Sequence, residues 1–531
     1  MPDVQHWRSE DEQFWKTVGH YQTQRLPQMN LLLLLAGSSM WMIWAALTVL
    51  LLDVGYPFKM GELFGLMASA GVAGICMRLA GGFILHHCGT RDSILLTCLL
   101  LLMPLGLLAW ALTSLDTPLW VFQLCAIGTG IGSGFISLIV SSNYYLFPLK
   151  MRSLVLEVPL ALACVGLILV LVAVPMLVQW DVLQGLGLKP MYLLYDSSNI
   201  SGRIPKGQPV WLLSSLLLPA VLLLLAVWQA LRSPNVLVSN LQIKQKINWE
   251  GVLRSLVLVA VIFWFCAGYT YLDVLFPSFS HIPAIREVFI FLTILMVLFL
   301  MHRLANPAMQ ARPQQISLLT NKEAHILGLM YLMGMGSLLG FGVSFALLIK
   351  AVFAVQLSDD NRLVLNPVAP AVLIYGWLPV VFGLVARAGG SWLAQHMRPS
   401  LINHLALLML FVSSLFMAYY STQAVTSSHP EQVFFIFFSW ALVFFVACGL
   451  SAGSVMNMAL KTLPRQQLEA ALGWILSVAA IGAYYIPRMY ADDWSSTGPG
   501  KILLGFALFY LIGLLVNWYF YLRKSSRYSL F

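Results

Sequence analysis

Residues 31–52 read LLLLLAGSSMWMIWAALTVLLL, and this stretch decides the fold. It carries no charged side chain from its first residue to its last. An α-helix needs about 20 apolar residues to cross the hydrocarbon core of a bilayer, where it satisfies its own backbone hydrogen bonds. The stretch therefore predicts a membrane-spanning helix.

The same pattern recurs along the chain. Of the 531 residues, 60% are hydrophobic and only 10% are charged, with a mean hydropathy of +0.82; soluble domains carry about 25% charged residues. This composition excludes a soluble enzyme, and we expect no enzymatic activity. We predict an all-α polytopic membrane protein with fourteen spans, at residues 31–52, 61–85, 92–113, 119–146, 152–178, 209–231, 251–275, 285–302, 325–349, 370–395, 401–421, 433–459, 467–488 and 502–522.

The opening segment, residues 1–30, is mostly polar. It lacks the apolar core and small-residue cleavage site of a signal peptide, so we expect a cytoplasmic lead-in to span one. The seven cysteines lie mostly in or beside apolar runs, and no pair has metal-ligand or disulfide-framework spacing. We therefore expect them to act as small apolar side chains, with no metal site and no cofactor.

The formal net charge of +9 could suggest a nucleic-acid partner, but the distribution of the charges argues for topology instead. With the N-terminus inside, nineteen of the thirty lysines and arginines fall in cytoplasmic segments and nine in outer segments. Cytoplasmic loops carry such an excess of basic residues. We predict that both termini are cytoplasmic and that the partner is the lipid bilayer, with no nucleic acid.

Two arginines, Arg78 and Arg387, remain well inside spans two and ten. A cation in the hydrocarbon layer is costly unless it faces a partner or a wet cavity. Both follow a glycine by four residues and precede a Gly-Gly pair, within Gly74–Gly82 and Gly383–Gly390. This shared context indicates a functional pair. Hydrogen bonds to backbone carbonyls at helix junctions would also explain two arginines inside spans.

A glycine-rich span follows each arginine span, which suggests two related halves. Span four ends in Phe147-Pro148 and span twelve in Leu463-Pro464, each followed closely by a basic residue. Glycines four apart mark close helix packing in membranes. The candidate packing or gating glycines of the arginine and glycine spans are Gly74, Gly81, Gly82, Gly130, Gly134, Gly383, Gly389, Gly390, Gly449 and Gly453.

One arginine from each half, converging on a central cavity, predicts an anion site, because the guanidinium stays protonated and presents a planar fork of donors. Among the acidic residues only Glu157 lies clearly within a predicted span, and the histidines fall at span ends or in loops. Glu157 is either a local partner of Arg152 or a proton-coupling group. An empty carrier with two unpaired arginines would reorient poorly, which favours anion exchange over proton symport.

The chain resembles the nitrate/nitrite porters of the major facilitator superfamily. The resemblance rests on His6–Asp11 with Phe14-Trp15, on Gly74–Gly82, on Tyr331–Gly342, on Gly383–Gly390 and on Ala470–Pro487. It implies two six-helix bundles, a monomer, a bacterial cytoplasmic (inner) membrane, and alternating access for nitrate and/or nitrite. It also implies that Arg78 and Arg387 coordinate the anion, that Tyr331 contacts it, and that Gly473 and Gly482 belong to the glycines of span thirteen.

Two departures from the family pattern stand out. Span five keeps only Gly166 of a glycine-rich signature, and span thirteen has Ala483-Tyr484 in place of a glycine pair. In addition, two apolar segments lie between the halves. The expected organisation is a cytoplasmic segment 1–30, a bundle 31–231, an insertion 232–322 with two extra spans, a bundle 323–522 and a cytoplasmic tail 523–531.

Two other functions stay open at this stage. Proton-coupled efflux of a drug or another organic solute predicts a large apolar cavity and a working membrane carboxylate, for which the sequence offers Glu157. A non-transporting membrane anion sensor predicts binding without flux. Because no Walker loop is present and Gly128-Thr-Gly130 lies inside an apolar span, we do not expect an ATP-driven pump.

Overall fold

The computed structural model describes residues 7–23, 26–181, 189–233, 235–238, 241–243, 247–272, 285–305, 321–357, 363–464, 467–493 and 498–523. Within these ranges fourteen helices are long and apolar enough to cross a membrane. The spans are, in order, Leu26–Val54, Met60–Cys88, Thr90–Ala111, Leu119–Leu146, Val158–Leu177, Leu212–Leu231, Trp249–Thr270, Ile285–Leu304, Lys322–Phe353, Val372–His396, Pro399–Val425, Glu431–Thr462, Leu468–Ala491 and Gly498–Leu522. The predicted all-α polytopic fold is confirmed.

Several spans break or change helix type part-way. Span one consists of Leu26–Trp41 and Trp44–Val54, and span ten of Val372–Tyr375 and Leu378–His396. Spans four and six include the 3-10 turns Gly130–Ser133 and Leu212–Leu216, and spans nine and fourteen the π segments Leu332–Gly336 and Trp518–Leu522. Span nine therefore has an irregular turn directly after Tyr331. Isolated π segments within α-helices are frequent at functional sites.

Span five differs from its prediction as one helix over 152–178. It consists of Leu149–Leu162 and Val165–Leu177, separated by a turn at Ala163 and Cys164. Pro159 lies within the first segment and removes one backbone donor, which frees the Val155 carbonyl. Asn143 of span four donates to that carbonyl at 2.8 Å. The interruption leaves further carbonyls of this segment available to side chains of neighbouring spans.

Within the described residues, the loops between spans form four small antiparallel sheets. In the loop before span six, β1 (Met191–Tyr192) pairs with β4 (Pro209–Val210), and β2 (Ser197–Asn199) pairs with β3 (Gly202–Ile204). The prediction that span six begins at residue 209 is therefore early, because Pro209 and Val210 form a strand. The remaining pairs are β5 (Val236–Leu237) with β6 (Gln242–Ile243) and β7 (Val355–Leu357) with β8 (Leu363–Leu365).

The halves meet chiefly through spans two and thirteen, which contact each other from one end to the other. We call the side where span one begins the termini side and the opposite side the far side. Towards the far side, Phe64 stacks on Tyr490 with ring centroids 5.4 Å apart. Deeper in the bundle, a Cβ on Gly71 would lie 2.6 Å from the backbone nitrogen of Tyr484. The two halves are therefore in close contact through the described bundle.

The two inserted helices, spans seven and eight, pack against span two and against each other. Their outer faces expose large apolar side chains such as Trp264 (78%) and Phe291 (61%). Tyr269 of span seven donates a hydrogen bond to the Tyr484 hydroxyl of span thirteen at 3.2 Å. These helices therefore lie at the edge of the bundle, with apolar faces suited to lipid.

Candidate functional site

Arg78 is fixed by three neighbours in the interior of the bundle, where it is only 2% exposed. Its Nε donates to the Ser133 hydroxyl at 2.8 Å, and its Nη1 donates to the Leu476 carbonyl at 2.8 Å. The guanidinium lies over the Trp41 ring, 4.8 Å from the centroid, an arrangement that stabilises a cation. Its Nη2 is buried and has no hydrogen-bond partner among the described residues.

Gly74 explains how Trp41 can lie beside Arg78. A Cβ on Gly74 would stand 2.9 Å from the Trp41 indole nitrogen, which is too close for any other residue without displacement of the ring. The indole nitrogen itself donates to the Ala70 carbonyl at 3.0 Å. The glycine one turn before the arginine therefore makes room for the aromatic surface on which the guanidinium rests.

Arg387 lies on the other half and is 3% exposed. Its Nη1 donates to the Leu160 carbonyl at 2.8 Å and contacts the sulfur of Met335 at 3.1 Å. Leu160 stands just before the break in span five, where carbonyls lack their usual helical partner. Met335 belongs to the π segment of span nine. Both contacts thus come from places where a helix departs from regular geometry.

The two arginines are held reciprocally across the halves. Arg78 of the first half bonds to a carbonyl of span thirteen, and Arg387 of the second half bonds to a carbonyl of span five. The backbone-carbonyl ties that the sequence left open are therefore present, one for each arginine. They do not remove the charge, because a backbone carbonyl carries no negative charge to balance the guanidinium.

Tyr331 and Cys164 complete the cluster. Both side chains are buried, at 0% and 1% exposure, and each lies within electrostatic range of both arginines. The Tyr331 hydroxyl lies beside Arg387 without forming a hydrogen bond of normal geometry. The structure thus brings together Arg78, Arg387 and Tyr331, as the sequence predicted for a site, and adds Cys164, which the sequence analysis treated as an ordinary apolar side chain.

Electrostatically, the described part of the site has two positive charges and no carboxylate paired with them. Among the described residues neither guanidinium forms a salt bridge with an acidic side chain. A buried charge without a counter-charge is costly. An anion placed between the two guanidiniums would offset that cost, and a planar oxyanion would match the donor fork.

The candidate glycines fall into two groups by their surroundings. At nine of them an added Cβ would come within 3.4 Å of another span: Gly74, Gly81, Gly130, Gly134, Gly383, Gly390, Gly449, Gly453 and Gly482. Gly82 has only ordinary contacts, at 3.7 Å to the Glu469 carboxylate and 3.8 Å to Ser141. Gly389 and Gly473 have nothing within 4 Å. Close approach therefore requires glycine at the first group only.

The sequence predicted that Glu157 alone among the acidic residues lies clearly within a span, and Glu469 is the second residue of the helix Leu468–Asp493. Glu469 is in span thirteen, and its carboxylate is 3.3 Å from the His86 ring of span two. His86 lies in the last turn of the helix Met60–Cys88, which agrees with the predicted position of the histidines at span ends or in loops, and its side chain is buried. Glu157 itself lies in the helix Leu149–Leu162, and its side chain is outside the described part of the structure.

A buried ion pair joins the halves at the far side. Lys350 of span nine contacts the carboxylate of Asp53 at the end of span one, and their side chains are 12% and 1% exposed. Lys350 is one of the nine basic residues predicted to lie in outer segments. Contacts between the halves therefore lie at the far side, through Lys350 and Asp53, and at the termini side, through Glu469 and His86.

Comparisons with known proteins agree with the fold and with the predicted resemblance. No family model matches the chain. The probable nitrate/nitrite antiporter NarK2 of Thermus thermophilus is 24% identical over 524 residues, which are 98% of this chain and 96% of the relative. The nitrate/nitrite transporters NarU of Salmonella typhimurium and Escherichia coli are 23% and 22% identical, again over 98% of this chain and 96% of theirs.

Solved structures identify the fold. A major facilitator superfamily proton:xylose symporter, XylE, superposes with a TM-score of 0.55 at 15% identity, covering 94% of this chain and 96% of that one. A bacterial homologue of the human drug peptide transporters gives a TM-score of 0.57 at 12% identity, covering 93% and 97%. The chain therefore has the major facilitator fold, and it resembles the nitrate/nitrite porters over nearly its whole length.

Proposed function

We propose that this membrane protein of the major facilitator fold is a secondary active transporter of a small inorganic oxyanion, nitrate and/or nitrite, by alternating access. The observation that supports this most is the pair of buried guanidiniums, one from each half, with no paired carboxylate among the described residues. The relatives named as nitrate/nitrite transporters support the choice of anion.

The organisation proposed for the chain follows from the two halves. Residues 31–231 and 323–522 form the two bundles, 232–322 carry the two inserted spans, and 1–30 and 523–531 are cytoplasmic. The basic residues favour cytoplasmic termini, which makes the termini side the cytoplasmic side. We place the protein in a bacterial cytoplasmic membrane as a monomer.

On binding, the anion would replace the backbone carbonyls as the hydrogen-bond acceptor of the two guanidiniums. In the described conformation each guanidinium uses Nη1 on a carbonyl of the opposite half, while the Nη2 of Arg78 has no hydrogen-bond partner among the described residues. A nitrate ion offers three planar oxygens that accept from donor forks on two sides. The Tyr331 hydroxyl lies beside Arg387, where it can donate to the same ion.

The transport mode that follows is exchange of one anion for another. The two guanidiniums repel each other when the anion leaves, and no carboxylate of the described site takes its place. Reorientation of the empty carrier is therefore slow, while reorientation with a bound anion is fast. Glycines at the contacts of spans two and four and of spans ten and twelve keep these helix pairs close as the halves move.

The test is counterflow in liposomes that contain the purified protein and are loaded with nitrite. We expect isotope-labelled nitrate to enter only when nitrite is inside, and Arg78→Lys and Arg387→Lys to lose most of the rate. Binding of nitrate without entry would support the anion sensor instead. Neither binding nor entry, from folded protein, would overturn the proposal.

A further inference from the structure

A cavity of about 470 Å³ lies at the far side, beside the inserted helices. Its described lining comes from spans two and four of the first half, from the inserted spans seven and eight, and from span thirteen of the second half. We call it the far-side cavity. Ser69, the last span-two residue of its lining, lies nine residues before Arg78, about 14 Å along the same helix. The cavity is therefore separate from the arginine site.

Basic side chains dominate the charge of the far-side cavity. Lys59 directly precedes span two, Arg286 lies at the start of span eight, and Arg488 lies near the end of span thirteen. The described lining includes one carboxylate, Glu62, which accepts a hydrogen bond of 2.7 Å from the Lys59 backbone nitrogen. Glu287, next to Arg286, is exposed and is not part of the lining. The described lining therefore carries a net positive charge.

The far-side cavity lies at the depth of the lipid headgroups. Trp120, at the start of span four, is 53% exposed, and its carbonyl accepts a hydrogen bond of 3.0 Å from the Tyr271 hydroxyl just after span seven. Tryptophan and tyrosine side chains are enriched where a membrane meets water. Gln123, less than one turn beyond Trp120 on span four, lines the cavity. The aromatic residues and the basic residues at span ends thus place the cavity at the level of the lipid phosphates.

The inner part of the far-side cavity combines open space with hydroxyl groups. An added Cβ on Gly65 would have nothing within 4 Å. The hydroxyls of Ser69 on span two and Thr270 on span seven lie 3.5 Å apart. Beside the cavity the halves touch directly, because a Cβ on Gly61 would lie 2.8 Å from the Ala491 carbonyl oxygen of span thirteen. A ligand in the cavity would therefore lie against both halves at a place where they meet.

We infer that the far-side cavity binds the headgroup of an anionic phospholipid of the phosphatidylglycerol type. Its phosphodiester carries one negative charge, and its oxygens accept hydrogen bonds from guanidinium and ammonium groups. Basic pockets between membrane helices bind anionic headgroups in this way. The glycerol adds hydroxyls that can pair with Ser69 and Thr270. A choline headgroup would instead bring a positive charge into a lining that is already positive.

The acyl chains of this lipid have a surface to lie on. The outer faces of spans seven and eight expose large apolar side chains, including Trp264 and Phe291. These faces begin at the same two inserted helices that line the cavity. The headgroup can therefore enter the cavity while the chains remain in the hydrocarbon layer.

The bound phosphate connects three parts of the chain. It lies among Lys59 of the first half, Arg286 of the insertion and Arg488 of the second half. When the far-side ends of spans two and thirteen separate, the phosphate loses one of these partners. The lipid therefore stabilises the described arrangement of the far side, and the inserted helices supply both a basic residue and a wall of its site.

The test is lipid retention by the purified full chain, counted by native mass spectrometry in detergent with equal amounts of phosphatidylglycerol and phosphatidylcholine. The wild-type chain should retain phosphatidylglycerol in preference. Arg286→Gln and Arg488→Gln should each weaken its binding about fivefold, the usual contribution of one basic residue near an anionic headgroup. Gly65→Phe keeps every charge and fills the open space, so it should prevent retention. Lys501→Gln, at the far-side start of span fourteen and outside the lining, should behave as wild type.

Three results would overturn the inference. The first is equal retention of the two lipids by the wild-type chain, a comparison that needs no variant and so does not depend on the folding of one. The second is unchanged retention in a folded protein that carries both Arg286→Gln and Arg488→Gln. The third is an equal rise in the unfolding temperature with inorganic phosphate and with phosphatidylglycerol, which would assign the cavity to a soluble phosphate. None of these measurements involves transport, so they test the cavity apart from the proposed function.

Discussion

Replacing Arg78 with lysine separates the charge of this residue from its geometry. The guanidinium of Arg78 holds two hydrogen bonds of 2.8 Å and lies on the Trp41 ring at 4.8 Å, and these contacts orient its remaining donors. A lysine keeps the positive charge on a flexible stem and lacks the rigid planar fork. The ammonium cannot reach the same three neighbours and hold an anion in the same orientation.

The expected loss follows from the bonds removed. A hydrogen bond to a charged group contributes about 1.5–3 kcal/mol, and each 1.4 kcal/mol changes an equilibrium constant about tenfold. The loss of one guanidinium–anion bond should therefore weaken nitrate binding by about 10- to 150-fold. The assay is the half-saturating nitrate concentration in counterflow, with thermal unfolding in detergent as the check on folding.

A matched control is Arg232→Lys. Arg232 stands at the end of span six with its guanidinium 3.8 Å from the Trp228 centroid, so it shares the aromatic contact of Arg78 but lies on the surface. Its substitution should leave the half-saturating concentration unchanged within about twofold. A folded Arg78→Lys protein with the same half-saturating concentration as wild type would refute the idea that the fork of Arg78 binds the anion.

Three further predictions concern packing, the thiol and the far-side ion pair. Gly482→Ala should destabilise the protein by about 1–3 kcal/mol, because the added methyl group would overlap the backbone of span nine. Gly473→Ala, where the added methyl group meets open space, should change stability by less than about 1 kcal/mol. Thermal unfolding of both variants measures the difference, and equal midpoints would contradict it. A small mercurial reagent should inactivate transport by reacting with Cys164, and bound nitrate should slow that reaction. The Cys164→Ser variant should keep its transport activity in the presence of the reagent. Inactivation of this variant would place the reactive thiol elsewhere. Asp53→Asn should lower the free energy of unfolding by about 3–5 kcal/mol, because it leaves the Lys350 charge unpaired. Adding Lys350→Met to this variant should recover part of the lost stability, as measured by denaturation curves. Strictly additive losses of the two substitutions would argue against the pair.

Much of the fold could be predicted from the sequence because membrane spans are set by local composition. An apolar run of about 20 residues is visible without knowledge of its neighbours, and all fourteen predicted spans correspond to helices of the described chain. The break in span five was not predicted, since Pro159 alone does not show where a helix will resume. The start of span six was placed early for a related reason: Pro209 and Val210 are compatible with an apolar span, but they pair as a strand.

The arginines of the site could be predicted and their neighbours could not. A guanidinium inside an apolar run stands out whatever its partners are, and the repeated glycine context linked Arg78 to Arg387. Ser133 and Cys164 are compatible with ordinary helix packing, so the sequence gives no signal for their role. Leu476 contributes a backbone carbonyl 398 residues from Arg78, and only the folded chain shows such a contact.

The contact between Glu469 and His86 was missed for a different reason. Glu469 and His86 each lie near the end of a predicted span, where charged side chains ordinarily face water or lipid headgroups. Their burial depends on a contact between residues 383 positions apart. A span-end carboxylate and a span-end histidine on the same side of the membrane would have been the signal to consider, and sequence-based span boundaries could not show that they meet.

In the proposed mechanism, two arginines from opposite halves form one anion site. Titration calorimetry of nitrate into the purified wild-type protein, and into Arg78→Gln, Arg387→Gln and the double variant, tests it most directly. We expect one nitrate per chain, displaced by nitrite, with binding lost in either single variant and no further loss in the double. Undiminished binding in the folded double variant would contradict it.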